Sequence, residues 1–251
     1  MKKFFALMLA LIMALSLVAC GKTEAPVDGG EDTAPVEETK PEGVMSYEEY
    51  MAAEMDTEVT VDCYVQAHQS WWDGKITVYA ADEDGAYFIY EMACDEADAA
   101  MFDTAGLGIR VTGFKSEWAG EVEIVDATYE ILSQTYEAEA LDATALLGTD
   151  ELIDHQNQLV SFKGMTVEAY DESGAAFAYK NAEEKTDDLY FKVSLNGETY
   201  EFCVEYYLCG SDTDVYKAVE ALEVGQVIDV EGFLYWYEGA NPHVTSVTVV
   251  G

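Results

Sequence analysis

Val59-Thr60-Val61-Asp62-Cys63-Tyr64-Val65-Gln66 is the stretch that sets the expected fold, because apolar and polar side chains alternate along it. A period of two is typical of a β-strand that buries one face. The pattern continues downstream, and Asp82-Glu83-Asp84-Gly85 supplies turn residues. The elements predicted in this half are three strands, a short helix and two strands, over residues 59–66, 76–80, 86–92, 95–103, 109–114 and 121–131.

The same plan recurs in the second half of the chain. Val160–Gly164 aligns with Val59–Cys63, and Val230–Phe233 aligns with Val111–Phe114 with a glycine at the third position of both. Such self-similarity indicates two copies of one structural unit.

Each copy is expected to follow a short acidic helix, over residues 46–55 with Ser46 as N-cap and over residues 150–156. Gly113 and Gly232 fall in the fourth strand of each copy, where a small barrel must bend. Three strands, a helix and two closing strands resemble the OB-fold. The predicted fold class is mostly β, with two small OB-like five-stranded β-barrels, each with a short helix.

The N-terminus predicts where the protein resides. Lys2 and Lys3 precede an uncharged run, and Leu17-Val18-Ala19-Cys20-Gly21 follows it. This arrangement resembles the lipobox of bacterial lipoproteins, in which the cysteine thiol receives a diacylglyceryl group and becomes the new N-terminus. We expect a signal peptide over residues 1–19 and an extracytoplasmic protein whose lipid on Cys20 anchors it to the bacterial cell membrane. An ordinary secretory signal or an uncut anchor are the alternatives.

A composition change at Met45 marks the start of the folded part. Residues 20–44 contain three of the four prolines and no aromatic residue, which predicts a disordered tether. We expect the first OB-like domain over 45–132, a linker over 133–148 and the second domain over 149–251.

Lipobox, acidic tether and the segment Ser70-Trp71-Trp72-Asp73-Gly74-Lys75 leading into Tyr87–Met92 together resemble a group of lipoproteins from Gram-positive anaerobes with tandem OB-like domains. The resemblance implies the fold and the anchoring. It implies no activity, because that group has no established one.

The net charge of the chain affects which classes of partner are expected. The chain carries 50 acidic and 12 basic residues, a net charge of −38. Affinity for phosphate backbones comes mainly from lysine and arginine displacing counterions, and only Arg110 and scattered lysines are available. We therefore expect no nucleic-acid partner, and a folded body that stands off an anionic membrane surface.

Aromatic residues fall where OB domains bind ligands, on strands two and three and in the loops joining strands one to two and four to five. Their flat faces stack on sugars or peptides. The alternative is that the rings cap the barrels or pack the two domains together. The candidate ligand-binding residues are Trp71, Trp72, Tyr79, Trp118, Tyr235, Trp236 and Tyr237.

No catalytic or metal-binding pattern stands out. His68, His155 and His243 form no metal-type pair, and the chain has no Gly-x-Ser-x-Gly elbow. The acidic turn at 82–85 imitates a calcium loop, but Ala80 occupies the first ligand position. We expect no enzyme, metal or cofactor, although abundant carboxylates leave a carboxylate-dependent hydrolase as a distant alternative.

Four cysteines remain after lipidation. Cys203 and Cys209 are expected to lie too far apart on one strand to pair, whereas a Cys63–Cys94 disulfide and buried free thiols both stay open.

The sequence favours a lipoprotein that acts as a non-catalytic binding or interaction module for a glycan, a peptide or an envelope protein. A purely structural envelope lipoprotein is the alternative.

Overall fold

The computed structural model of the chain describes residues 40–181 and 186–251. The predicted signal peptide, the lipidation site Cys20 and nearly all of the tether lie outside the described residues. Within the described part, no helix has both the length and the apolar character needed to cross a membrane.

Most of this part is β-structure, and the helical segments are short. The strands are β1 (Glu58–His68), β2 (Lys75–Ala81), β3 (Ala86–Ala93), β4 (Leu107–Trp118), β5 (Glu121–Thr135), β6 (Leu141–Asp142), β7 (Leu159–Glu168), β8 (Phe177–Tyr179), β9 (Leu189–Leu195), β10 (Glu198–Val204), β11 (Val227–Phe233) and β12 (His243–Val249). The helical segments are α1 (Tyr47–Ala52), α2 (Asp214–Glu220) and two 3₁₀ turns, Ala99–Asp103 and Asp150–His155.

The first five strands form a closed barrel in the order β1-β2-β3-β5-β4. β1 pairs antiparallel with both β2 and β4, and a short parallel pairing of Phe88 with Glu123 joins β3 to β5. The alternation predicted along the first strand is confirmed, since Val59, Val61 and Cys63 point into the core.

The second barrel has the same connectivity. β7, β9, β10, β12 and β11 close a ring in which β7 pairs antiparallel with β9, and Cys203 pairs parallel with His243 between β10 and β12. β6 and β8 extend its sheet at the two ends. In both barrels a helical segment lies between the third and fourth strands, as in the OB-fold. The prediction of two OB-like five-stranded barrels is confirmed.

Both fourth-strand glycines lie where another chain segment comes close. A Cβ on Gly113 would stand 2.7 Å from the carbonyl oxygen of Val125. A Cβ on Gly232 would run into the carbonyl oxygen of His243. The strand register shifts at both places, so each glycine allows the local bend that closes its barrel.

The helices are shorter than predicted. Ser46 is the N-cap of α1, and it exchanges hydrogen bonds with Glu49 in a capping box. The two other predicted helices form only 3₁₀ turns, over Ala99–Asp103 and Asp150–His155. Neither turn has a side-chain hydrogen bond at its N-cap, and 3₁₀ geometry is common in such short connectors.

Much of the predicted linker over residues 133–148 belongs to the barrels. Its first residues continue β5 to Thr135, and Leu141–Asp142 pairs parallel with β7. Ala143 and Leu147 are buried in the core of the second barrel. Apolar side chains therefore hold the end of this connection against the second barrel.

Tyr79 on β2 is a principal contact between the barrels. Its ring stacks on Phe233 of the second barrel with a centroid distance of 4.6 Å. Its hydroxyl hydrogen-bonds Nδ1 of His243 at 2.6 Å, and Phe88 packs beside it. With both stacking and a buried hydrogen bond, this contact fixes orientation as well as distance.

The β4–β5 turn makes a second, hydrogen-bonded contact. The backbone N–H of Trp236 donates to Oε2 of Glu121 at 2.8 Å, and that of Glu238 donates to the carbonyl of Ala119 at 2.8 Å. Nε2 of Gln156 donates to the carbonyl of Gly120 at 2.7 Å. The turn is thus held by Gln156, which precedes β7, and by Trp236 and Glu238, which follow β11.

The Glu121 carboxyl is fully buried in this contact. Burial raises its pKa to about 8, against the opposing effects of the Trp236 N–H and the Asn157 side chain. Among the described residues, its Oε1 and the Oδ1 of Asn157 have no hydrogen-bond partner. Because both atoms are acceptors, the neutral, protonated acid suits this site better than the carboxylate.

Replacing either bend glycine with alanine is expected to destabilise the protein by steric clash. Gly113→Ala and Gly232→Ala should each lower the free energy of unfolding by roughly 1–3 kcal/mol, measured by chemical denaturation. Gly210→Ala is the control, because its new Cβ would meet nothing closer than 3.5 Å. Equal stability of all three variants would contradict the close approach.

Glu121 is expected to make stability fall as pH rises. Its folded pKa lies above the unfolded value, so its contribution is complete below about pH 4.3 and is lost as pH climbs through about 8. The effect is at most about 5 kcal/mol, from a shift of under four pKa units. Glu121→Gln should remove this part of the pH dependence in denaturation series from pH 5 to 9. Parallel pH profiles for the two proteins would count against a buried neutral acid.

Candidate functional site

A cleft of about 1250 Å³ opens between the two barrels. The first barrel contributes the β1–β2 loop, the β2–β3 hairpin and the β4–β5 turn. The second contributes the β7–β9 connection with β8, strands β9 and β10, and the segment between β11 and β12. The cleft exists because the Tyr79 and Glu121 contacts hold the barrels together along one side.

Aromatic rings dominate the walls of the cleft, and several are open to solvent. Trp72 and Trp118 are 75% and 63% exposed. Tyr90, Tyr207 and Tyr237 are also exposed. Large rings gathered in one concave surface and left in water are typical of a binding site rather than of a core.

Four of the seven candidate residues line the cleft: Trp72, Trp118, Tyr235 and Tyr237. Trp72 projects outward because its backbone pairs with Lys75 in a tight turn. Tyr235 is half-buried and stacks on His243 with a centroid distance of 4.2 Å. Residues from three separate loops thus meet at one surface.

The remaining three candidates, Trp71, Tyr79 and Trp236, lie outside the cleft. The indole N–H of Trp71 donates to the carbonyl of Cys94 at 2.8 Å, which turns the ring toward the first core. Tyr79 is buried between the barrels. Trp236 packs on the second core and against Gly120. The surroundings of these three rings fit the alternative expectation, in which aromatic residues pack the barrels or the contact between them.

Sequence reasoning missed the tyrosines that the second barrel adds. Tyr170, Tyr179, Tyr190 and Tyr207 line the cleft from the β7–β9 connection, β9 and the segment after β10. The rule that OB domains use strands two and three applies to the second barrel as well. Applied there, it would have found Tyr190 on β9, although not that the two binding faces point at each other.

In the described part of the chain, both lysines that line the cleft form ion pairs. Nζ of Lys75 lies 2.5 Å from Oε2 of Glu91, and Nζ of Lys180 lies 3.0 Å from Oδ2 of Asp188. The hydrogen bond to Lys75 lowers the pKa of Glu91. Neither lysine is therefore free to neutralise the other acids nearby.

Three further carboxyls, those of Glu123, Glu201 and Glu205, line the cleft. Glu123 is only 7% exposed, and burial raises its pKa. Glu205 accepts a hydrogen bond from the backbone N–H of Leu208 at 2.6 Å. Burial raises the pKa of Glu205 to about 7, and the neighbouring charge of Asp188 adds to that. The cleft is thus lined by rings and by acids that are partly withdrawn from water.

The histidines are held in separate local contacts. His243 is buried, and burial lowers its pKa to about 3, so its ring is neutral. His68 hydrogen-bonds Asp103 at 3.0 Å, and His155 hydrogen-bonds Gln158 at 3.1 Å.

Cys63, Cys94, Cys203 and Cys209 are buried free thiols, so the Cys63–Cys94 disulfide is not formed. In the described ranges, no group of three or more histidine, cysteine or acidic side chains is arranged to hold a metal ion. The acidic turn at 82–85 is a hairpin turn, in which Oδ1 of Asp82 accepts the N–H groups of Asp84 and Gly85.

No protein-family pattern matches the chain, and no curated protein matches it. Several solved structures resemble it weakly. The Ifi202 HINa domain in complex with 20-bp dsDNA is 14% identical, with a TM-score of 0.35 over 78% of this chain and 98% of that one. A single-stranded DNA binding protein from Thermus aquaticus is 13% identical, with a TM-score of 0.27 over 77% and 93%. A Replication Protein A heterotrimer bound to ssDNA is 12% identical, with a TM-score of 0.30 over 75% and 50%.

The expectation that charge excludes nucleic-acid partners is wrong. The solved structures with this likeness include proteins bound to double-stranded and to single-stranded DNA. Net charge averages over the whole surface and does not by itself decide which partner one site takes. At these identities the likeness concerns the fold alone.

Proposed function

We propose that this chain is a non-catalytic binding module that holds its ligand in the aromatic cleft between its two OB-like barrels. The observation that carries the proposal is the convergence of exposed rings from both barrels on one concave surface. A glycan, a peptide or a segment of an envelope protein would present flat or extended faces to such rings.

The packing of the barrels supports a preformed site. Stacking at Tyr79 and the hydrogen bonds of the β4–β5 turn hold both walls before any ligand arrives. A ligand that binds a preformed cleft loses less free energy to ordering the protein. The exposed rings of Trp72 and Trp118 would gain most from being covered.

The proposal includes anchoring at the outer face of a bacterial membrane. Cys20 in the lipobox-like run would carry the lipid, and the acidic segment after it would separate the barrels from the membrane. The ligand would then be another molecule of the cell surface or its surroundings.

Trp118 is expected to contribute to binding through ring stacking. Purified full-length protein is titrated calorimetrically with neutral oligosaccharides, peptides, and single- and double-stranded oligonucleotides. For any member that binds, Trp118→Ala should weaken affinity by about tenfold or more, since a stacked ring contributes roughly 1–3 kcal/mol. Trp71→Phe is the matched control, because this ring lies outside the cleft, and its affinity should stay within about twofold.

The outcomes separate a binding module from a structural protein. Loss of affinity in both variants would mean a global defect, and unchanged affinity in Trp118→Ala would place the ligand elsewhere. No binding by any member of the panel would favour the purely structural alternative.

Cys20 is expected to determine membrane attachment. Expressed in a bacterium, the unmodified sequence should fractionate with membranes and incorporate a labelled fatty acid, whereas Cys20→Ala should do neither. Cys94→Ala, in a buried position, serves as control and should still be labelled. Membrane attachment of Cys20→Ala would contradict lipid anchoring.

A further inference from the structure

The Glu123 carboxyl faces the cleft, and no described residue is its partner. The residue is 7% exposed and lines the cleft. Among the described residues, none makes a hydrogen bond or an ion pair with its carboxyl oxygens. A carboxylate that protein covers for the most part is less well solvated than one in open water, and a cation beside it would offset that loss. An acid kept in this position points to a partner that comes from outside the protein.

Aromatic rings surround the position of Glu123. On the barrel wall, Glu123 pairs with Phe88 across β3 and β5. The Phe88 ring lies 5.3 Å from that of Tyr235, edge to face, and 6.3 Å from that of Tyr90, stacked. Ring faces carry negative electrostatic potential and attract cations.

The other charged side chains of the cleft also favour a positively charged ligand. Lys75 and Lys180 are bound to their own acids, Glu91 and Asp188. Glu201 and Glu205 add further carboxyls to the walls. A positively charged group entering the cleft would therefore meet carboxylates and ring faces together, and it would give Glu123 a partner that the described residues do not supply.

We infer that the cleft binds its ligand through a protonated amine or another alkylammonium group, placed beside the Glu123 carboxylate and against the rings of Tyr90 and Tyr235. This inference rests on the proposed binding function and adds the chemical class of the ligand. The free amine of an amino sugar and the lysine side chain of a peptide share this chemistry.

Two matched ligand pairs test the inference and distinguish the sources. One pair is the glucosamine hexamer and its neutral N-acetylated form, and the other is pentalysine and penta-acetyl-lysine. By calorimetry on the purified full-length protein, the charged member of at least one pair should bind about tenfold or more tightly than its neutral form.

Substitution at Glu123 should remove that preference. In Glu123→Gln the two members of the pair should bind within about twofold of each other, because the amide keeps the shape and loses the charge. Glu130→Gln is the matched control. It removes the same charge from an exposed position on the same strand, outside the cleft. If Glu123→Gln does not fold, Tyr90→Leu tests the same site, and it too should reduce the preference for the charged member.

The outcomes are distinct. Equal affinity for both members of each pair would overturn the cation inference and leave the binding function standing. A preference that persists unchanged in Glu123→Gln and in Tyr90→Leu would also overturn it. Binding of neither member of either pair would overturn the inference, and silence across the whole ligand panel would remove the binding function as well.

Discussion

The packing of Tyr79 between the barrels is the contact that holds the two walls of the cleft together. Its ring stacks on Phe233, and its hydroxyl reaches a neutral, buried His243. Each barrel closes on its own through a parallel pairing of its third and fifth strands. The cleft, by contrast, belongs to neither barrel and exists only while they are docked. Two copies of a common scaffold thereby form a site that one copy cannot provide.

The fold could be predicted from the sequence because local patterns determine it. The alternation from Val59 to Gln66 identified the first strand, and the repeat at Val160–Gly164 identified its counterpart. Gly113 and Gly232 marked the bends, which only a residue without a Cβ tolerates. Residues 133–148 were harder to interpret, since burial of Ala143 depends on a core that the local sequence does not describe.

The candidate site could be predicted only in part, because residue type and loop position do not determine which way a ring points. Trp71 and Trp72 are adjacent, yet a hydrogen bond to Cys94 turns the first inward and a tight turn leaves the second in solvent. Of the second barrel's cleft tyrosines, strand position alone would have found Tyr190, but only the docking geometry shows that they face the first barrel. That Glu123 is mostly buried, and has no partner among the described residues, emerges only in three dimensions.

A distance distribution between spin labels on the two barrels tests most directly whether they form one body with a preformed cleft. Glu96→Cys on the first barrel and Glu198→Cys on the second provide exposed attachment points, while the four native thiols of the described part are buried. If the barrels are docked, pulsed electron paramagnetic resonance should give one narrow distance distribution. Tyr79→Ala, which removes the Tyr79 contact, should broaden it. A broad or multiple distribution in the otherwise unaltered protein would contradict a preformed cleft.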